Sequence, residues 1–113
     1  MNASKPTGLL ALSLLFVAAG PRADGPERVE RTQQSIDQAR FDEADAEVRA
    51  ALRSGELSRT ELARVHLSSG VIAAARRDSD SALAGFRRAL SLDPDVTLPG
   101  SAGPHVAELF EQA

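Results

Sequence analysis

The chain has 113 residues, no Cys, Trp or Tyr, and a formal net charge of −3 at pH 7. That length fits one small domain. The composition excludes disulfides and thiol nucleophiles, and an acidic balance with Phe as the only aromatic side chain excludes a basic, base-stacking nucleic-acid surface.

Residues 1–23 read as an export signal and the start of a linker. Lys5 supplies a positive n-region, Leu9 to Ala19 an apolar run, and Val17-Ala18-Ala19 the small residues that cleavage requires. The run is shorter than the roughly 20 apolar residues of a membrane span. A cleaved signal is therefore expected, and an uncleaved inner-membrane anchor is the alternative. No cysteine follows, which excludes a lipidated N-terminus of the bacterial lipoprotein kind. Loss of residues 1–19 removes Lys5 and no acid, leaving 12 Arg against 16 acids, a net of −4. The use of Arg over Lys and the Ala-rich helices suggest a bacterial, GC-rich coding sequence. The expected location is periplasmic or secreted, with membrane contact only through the signal.

Residues 24–113 read as one helical domain. Pro26 suits the first turn of a helix over 27–39, with Val29, Ile36 and Ala39 on one side. That stripe is weak, because Thr32 and Gln33 interrupt it. After a turn beginning at Arg40, a second helix over 42–53 carries Phe41, Ala44, Val48, Ala51 and Leu52 as its stripe, and Gly55 can close it in the left-handed conformation. Ser58-Arg59-Thr60-Glu61 forms a capping-box pattern flanked by Leu57 and Leu62. The helix it opens, to about Arg77, is apolar on two sides. Leu62, Val65 and Ile72 lie on one, and Ala63, Leu67, Gly70, Val71 and Ala74 on the other. A helix of that kind packs between neighbours.

The clearest pattern is DSALAGFRRALSLDP, residues 80–94. Ala82, Leu83, Phe86, Ala89 and Leu90 make one apolar stripe, Asp78 to Asp80 supply capping oxygens, and Pro94 ends the helix. A Pro/Gly/Ser-rich loop over 93–103 precedes a short helix over 104–112, opened by Pro104 and striped with Val106, Leu109 and Phe110. No segment alternates with period two, so no strands are expected.

Residues 40–52 and 77–90 repeat one another. Ala44, Val48 and Ala51 match Ala82, Phe86 and Ala89 at a constant offset of 38 residues. Over 63–94 the chain resembles the tetratricopeptide repeat, with Gly70, Ala82, Phe86, Ala89 and Pro94 at that family's signature small, aromatic and terminating positions. His66 stands where the family usually has Trp, Ala73 where it has Tyr, and Arg77 where the turn usually has Gly. The first repeat, about 27–54, matches only in its second helix. Exported bacterial modules of this kind tend to continue with an LxP…PxVxxxF segment, and Leu98, Pro99, Pro104, Val106 and Phe110 fit it. The resemblance implies an all-α, short α–α solenoid with a C-terminal capping helix that holds a partner peptide or protein and carries out no chemistry.

No arrangement of residues points to catalysis, a cofactor or a metal. His66 is expected in the core or half-buried and His105 in solvent, with no second ligand at metal spacing for either. Acid pairs such as Asp42/Glu43 and Asp78/Asp80 lie in first turns, where capping explains them. By the resemblance, the inner face of the second repeat carries Leu67 and Val71. These are apolar and cannot clamp a carboxylate, so an open groove there would take an apolar or amphipathic segment. The expectation is a non-catalytic adaptor of the cell envelope with Leu67 and Val71 on its partner-binding face. The alternatives are a self-associating structural domain, whose open faces bury against copies of itself, and the N-terminal part of a larger exported protein. A rival for the groove itself is that the second helix, or the last helix through Leu109 and Phe110, covers that side of the third helix completely.

Overall fold

The computed structural model describes residues 24–113. The expected export signal and cleavage site lie outside the described residues. Within them are five α-helices and no strand: α1 (Asp24–Asp37), α2 (Phe41–Ser54), α3 (Arg59–Ala75), α4 (Ser79–Leu92) and α5 (Pro104–Gln112). The fold is all-α, and α3 packs against all four other helices.

Helix ends fall where free backbone groups find partners. Ser58 accepts from the Glu61 N–H at 3.1 Å while Glu61 accepts from the Ser58 N–H at 2.9 Å, completing the capping box of α3. Asp78 accepts from the Ser81 N–H at 3.1 Å and opens α4. Gly55 closes α2 at φ 67°. Asp93 is extended ahead of Pro94, so α4 stops at Leu92. Pro104 sits at the start of α5.

The hairpins α1–α2 and α3–α4 share one turn. Ala39 (φ 58°) and Arg77 (φ 62°) both take the left-handed conformation. The Ala39 N–H donates to Ile36 and the Arg40 N–H to Ser35; 38 residues on, the Arg77 N–H donates to Ala74 and the Asp78 N–H to Ala73. Both are Schellman closures. They end α1 at Asp37 and α3 at Ala75, two residues before the bounds expected from periodicity, because neither turn carries the glycine that marks such an end. Ala39 accordingly lies exposed, outside α1 and off its buried face.

The repeat also extends into α1. Its buried residues are Val29, Thr32 and Ser35, where α3 has Leu67, Gly70 and Ala73. Two of these are polar, which hides the stripe in the sequence. Each is satisfied: Thr32 Oγ1 donates to the Arg28 carbonyl at 2.9 Å, and Ser35 Oγ donates to Glu47 Oε1 at 2.9 Å.

The α3–α4 pair is the tightest contact. Gly85 lies against the backbone of α3. A Cβ built there would meet Gly70 N at 3.0 Å and the His66 carbonyl at 3.1 Å. A Cβ at Gly70 would meet two Phe86 ring carbons at 2.5 Å. Phe86 is fully buried over this crossing, with Ala82 and Ala89 beside it on α4. Phe110 of α5 meets the Phe86 ring edge-on, centroids 5.5 Å apart at 83°. Arg59 Nε donates to the Leu92 carbonyl at 2.8 Å, and Arg76 pairs with Asp42 at 2.7 Å and Asp45 at 3.6 Å, tying α3 to both neighbouring helices.

Two glycine substitutions should have opposite effects on urea unfolding midpoints. Gly70→Ala should cost about 1–3 kcal/mol through overpacking against Phe86, outweighing the roughly 1 kcal/mol that Ala gains as a helix former. Arg77→Gly should raise the midpoint, because it relieves a left-handed non-glycine residue worth about 1 kcal/mol. A stabilised Gly70→Ala variant would show that α3 and α4 do not approach as closely as described.

Candidate functional site

The inner face of α3 is where the sequence places partner binding. Leu67 and Val71 both point into the chain's own core, with 6% and 7% of their surface exposed. They belong to a cluster with Ala74, Ala82, Phe86, Ala89 and Leu109. Val96 and Leu98 from the loop and Val106 and Phe110 from α5 pack against the same cluster. The open groove expected at Leu67 and Val71 is therefore closed in this state. The physical reason is that helix α3 has two apolar sides, and the residues after α4 supply the apolar surface that covers the second one.

The covering segment, Val96 to Gly103, lies along α1 and α3 as a strap. At one end, Thr97, Leu98 and Pro99 share a cleft of about 160 Å³ with Val29, Arg64 and Leu67. At the other, Pro99 and Ser101 to Gly103 border a cavity of about 180 Å³ with Ile36, Val71 and Ala75. The backbone bonds recorded for the segment are local, from Val96 to Asp93 and from Ala102 to Pro99. One side-chain bond fastens it to the helices: Ser101 Oγ donates to Asp37 Oδ1 at 2.9 Å, and Gln33 Nε2 donates to the same oxygen at 2.8 Å. Apolar contact at Val96 and Leu98, with α5 behind them, holds the rest.

The remaining signature residues sit in structural roles. Gly70 forms the α3–α4 crossing, Ala82, Phe86 and Ala89 are fully buried, and Pro94 lies just past α4. His105 is exposed. Asp78 caps α4, and the Ser81 bonds hold its carboxyl below the ordinary range. Asp42 and Glu43 pair with Arg76 and Arg40 rather than with each other. Among the described residues no group of three or more His, Asp or Glu is placed to hold a metal ion, and no buried side-chain polar atom lacks a partner.

A second, shallower surface lies on the outer side of α3 and α4. His66 is half-buried there among Leu62, Ala84, Arg87 and Arg88, and Leu52 stands beside it with 40% of its surface exposed. Burial, and then the Arg88 charge, lower the His66 pKa. The imidazole is thus neutral at pH 7 and faces a guanidinium instead of a carboxylate, so nothing here polarises it as a general base.

Comparison with protein-family models, with curated proteins and with solved structures finds no match.

The His66 environment sets a pH dependence. Its folded pKa lies below the ordinary value of about 6.5. As pH falls through that value, the unfolded chain takes up a proton before the folded chain does, so this group removes stability on acidification. The His66 imidazole signal, followed by NMR, should titrate below about 6.5 and move upward in Arg88→Ala. His66→Gln should flatten the part of the melting-temperature profile that falls just below that pH. A His66 midpoint above the ordinary value would refute this placement.

Proposed function

We propose that this chain is a tetratricopeptide-like, non-catalytic adaptor of the cell envelope that binds an extended apolar segment of a partner protein on the α1/α3 face. The observation that carries the reading is the strap. A non-helical stretch with Leu98 and Pro99 packs beside Leu67 and Val29, so the surface accommodates that chemistry. The closed state makes Val96–Gly103 the occupant in cis, and a partner competes with it. The repeat of turn and core positions at one offset supports the solenoid reading. Export through the N-terminal signal accounts for the envelope location. Among the described residues no helix is long and apolar enough to cross a membrane.

Competition with a covered surface has a cost. The partner must replace the contacts of Val96 and Leu98, and its apparent affinity falls by the fraction of time the face is uncovered. The test uses a synthetic peptide with the sequence of residues 94–103, added to the native chain and to a Leu98→Gly/Pro99→Gly variant with a loosened strap. Fluorescence anisotropy should show the peptide binding the variant at least about tenfold more tightly than the native chain. Absence of binding to the folded variant would overturn the proposed face.

A further inference from the structure

The strap leaves two spaces in the α1/α3 face unfilled, and the one nearer α5 is the more apolar. The cavity of about 180 Å³ is walled by Ile36, Phe41, Val71, Ala75, Pro99 and Val106. All six are apolar. Ser101, Ala102 and Gly103 of the strap border it with small side chains. An apolar cavity of roughly 150 Å³ stays dry and admits benzene, so this one has room for a compact hydrocarbon group.

The rim carries one charge. Asp37, the last residue of α1, borders the cavity, and Gln33 Nε2 and Ser101 Oγ hold its carboxylate through one oxygen. No arginine lies within ion-pair distance of it among the described residues, although Arg40, Arg49 and Arg76 all pair with acids nearby in the fold. The second oxygen keeps acceptor capacity, because a carboxylate offers about four lone-pair sites. An apolar pocket, open to solvent along Asp37, Ala75 and Ser101, beside an oriented carboxylate with no ion-pair partner among the described residues selects against anions and for a cation attached to a small hydrophobic body.

We propose that this cavity binds a compact apolar group bearing an ammonium: a monoaromatic or branched aliphatic primary amine, or a polypeptide amino terminus that begins with such a side chain. The hydrocarbon part fills the space between Ile36, Val71 and Val106, and the ammonium donates to Asp37. The site exists only with the strap in place, because Pro99 and Ser101 to Gly103 line it, so a partner segment that displaces the strap also removes this site.

The test is a titration of the 15N-labelled chain with benzylamine, toluene and phenylacetate, read from amide shifts. Benzylamine should give saturable shifts at Ile36, Asp37, Val71 and Ala75 below about 10 mM, a range that so small a ligand reaches. Phenylacetate should bind at least about tenfold more weakly, since its charge opposes Asp37. Asp37→Asn should bring benzylamine down to the level of toluene without unfolding the chain. Ala75→Leu, a good helix former at the cavity wall, should abolish the shifts from all three ligands. The tripeptide Phe-Gly-Gly separates the two sources: binding like that of benzylamine assigns a polypeptide terminus, and much weaker binding assigns a free amine. Absence of saturable benzylamine shifts, equal binding of phenylacetate or toluene, or full binding to folded Ala75→Leu would each overturn the proposal.

Discussion

The contact between the backbones of α3 and α4 at Gly70 and Gly85 sets the rest of the structure. With no side chain on either residue, the two helices come together closely enough for Phe86 to lie flat over the crossing and be fully buried. The buried ring then pairs in a T-shape with Phe110, which docks α5. Docking α5 brings the preceding residues back along α3, where Val96 and Leu98 cover Leu67 and Val71. Each step depends on the one before it. A larger residue at the crossing would displace Phe86, and the chain after α4, residues 93–113, would lose its anchor.

The first hairpin follows the same plan with different chemistry. Thr32 stands where the second hairpin has Gly70, and Glu47 where it has Gly85. Thr32 satisfies its hydroxyl within α1 by donating to the Arg28 carbonyl, and the two helices are joined by a side-chain hydrogen bond from Ser35 to Glu47. Polar groups that find partners inside cost little, but they contribute less than dense apolar packing does. The two hairpins therefore divide the work. The second supplies the dense core, and the first lies against one flank of α3 through Val29, Val48 and Ile72.

Much of this was legible from residues whose meaning is local. Ser58 and Glu61 mark the start of α3, Gly55 and Pro94 mark stops, and the spacing of Ala82, Phe86 and Ala89 marks a buried helix face. Gly70 was legible too, since a glycine in mid-helix weakens it by about 1 kcal/mol and so has a packing reason, whereas the matching role of Gly85 on α4 shows only in the fold. Three features were not. The turns at Ala39 and Arg77 are closed by non-glycine residues, so periodicity runs past the true helix ends. The buried face of α1 contains Thr32 and Ser35, which read as solvent-facing until their hydrogen-bond partners are known. The path of the strap depends on contacts between residues some 30 apart, such as Leu98 near Leu67, and an extended segment has no period to announce where it docks. Leu67 and Val71 were marked as a partner-binding face, and what covers them in this state could be read only from the fold.

The central claim is that α3 is buried on both sides by its own chain. Thermal melting of Leu67→Glu, followed by circular dichroism, tests it most directly. Under the present account the substitution places an unpaired carboxylate beneath Leu98 and Leu109, a burial that costs several kcal/mol, and the variant should be largely unfolded at 37 °C. A melting temperature within a few degrees of the native chain would mean that the charge stays hydrated, and the closed face described here would be wrong.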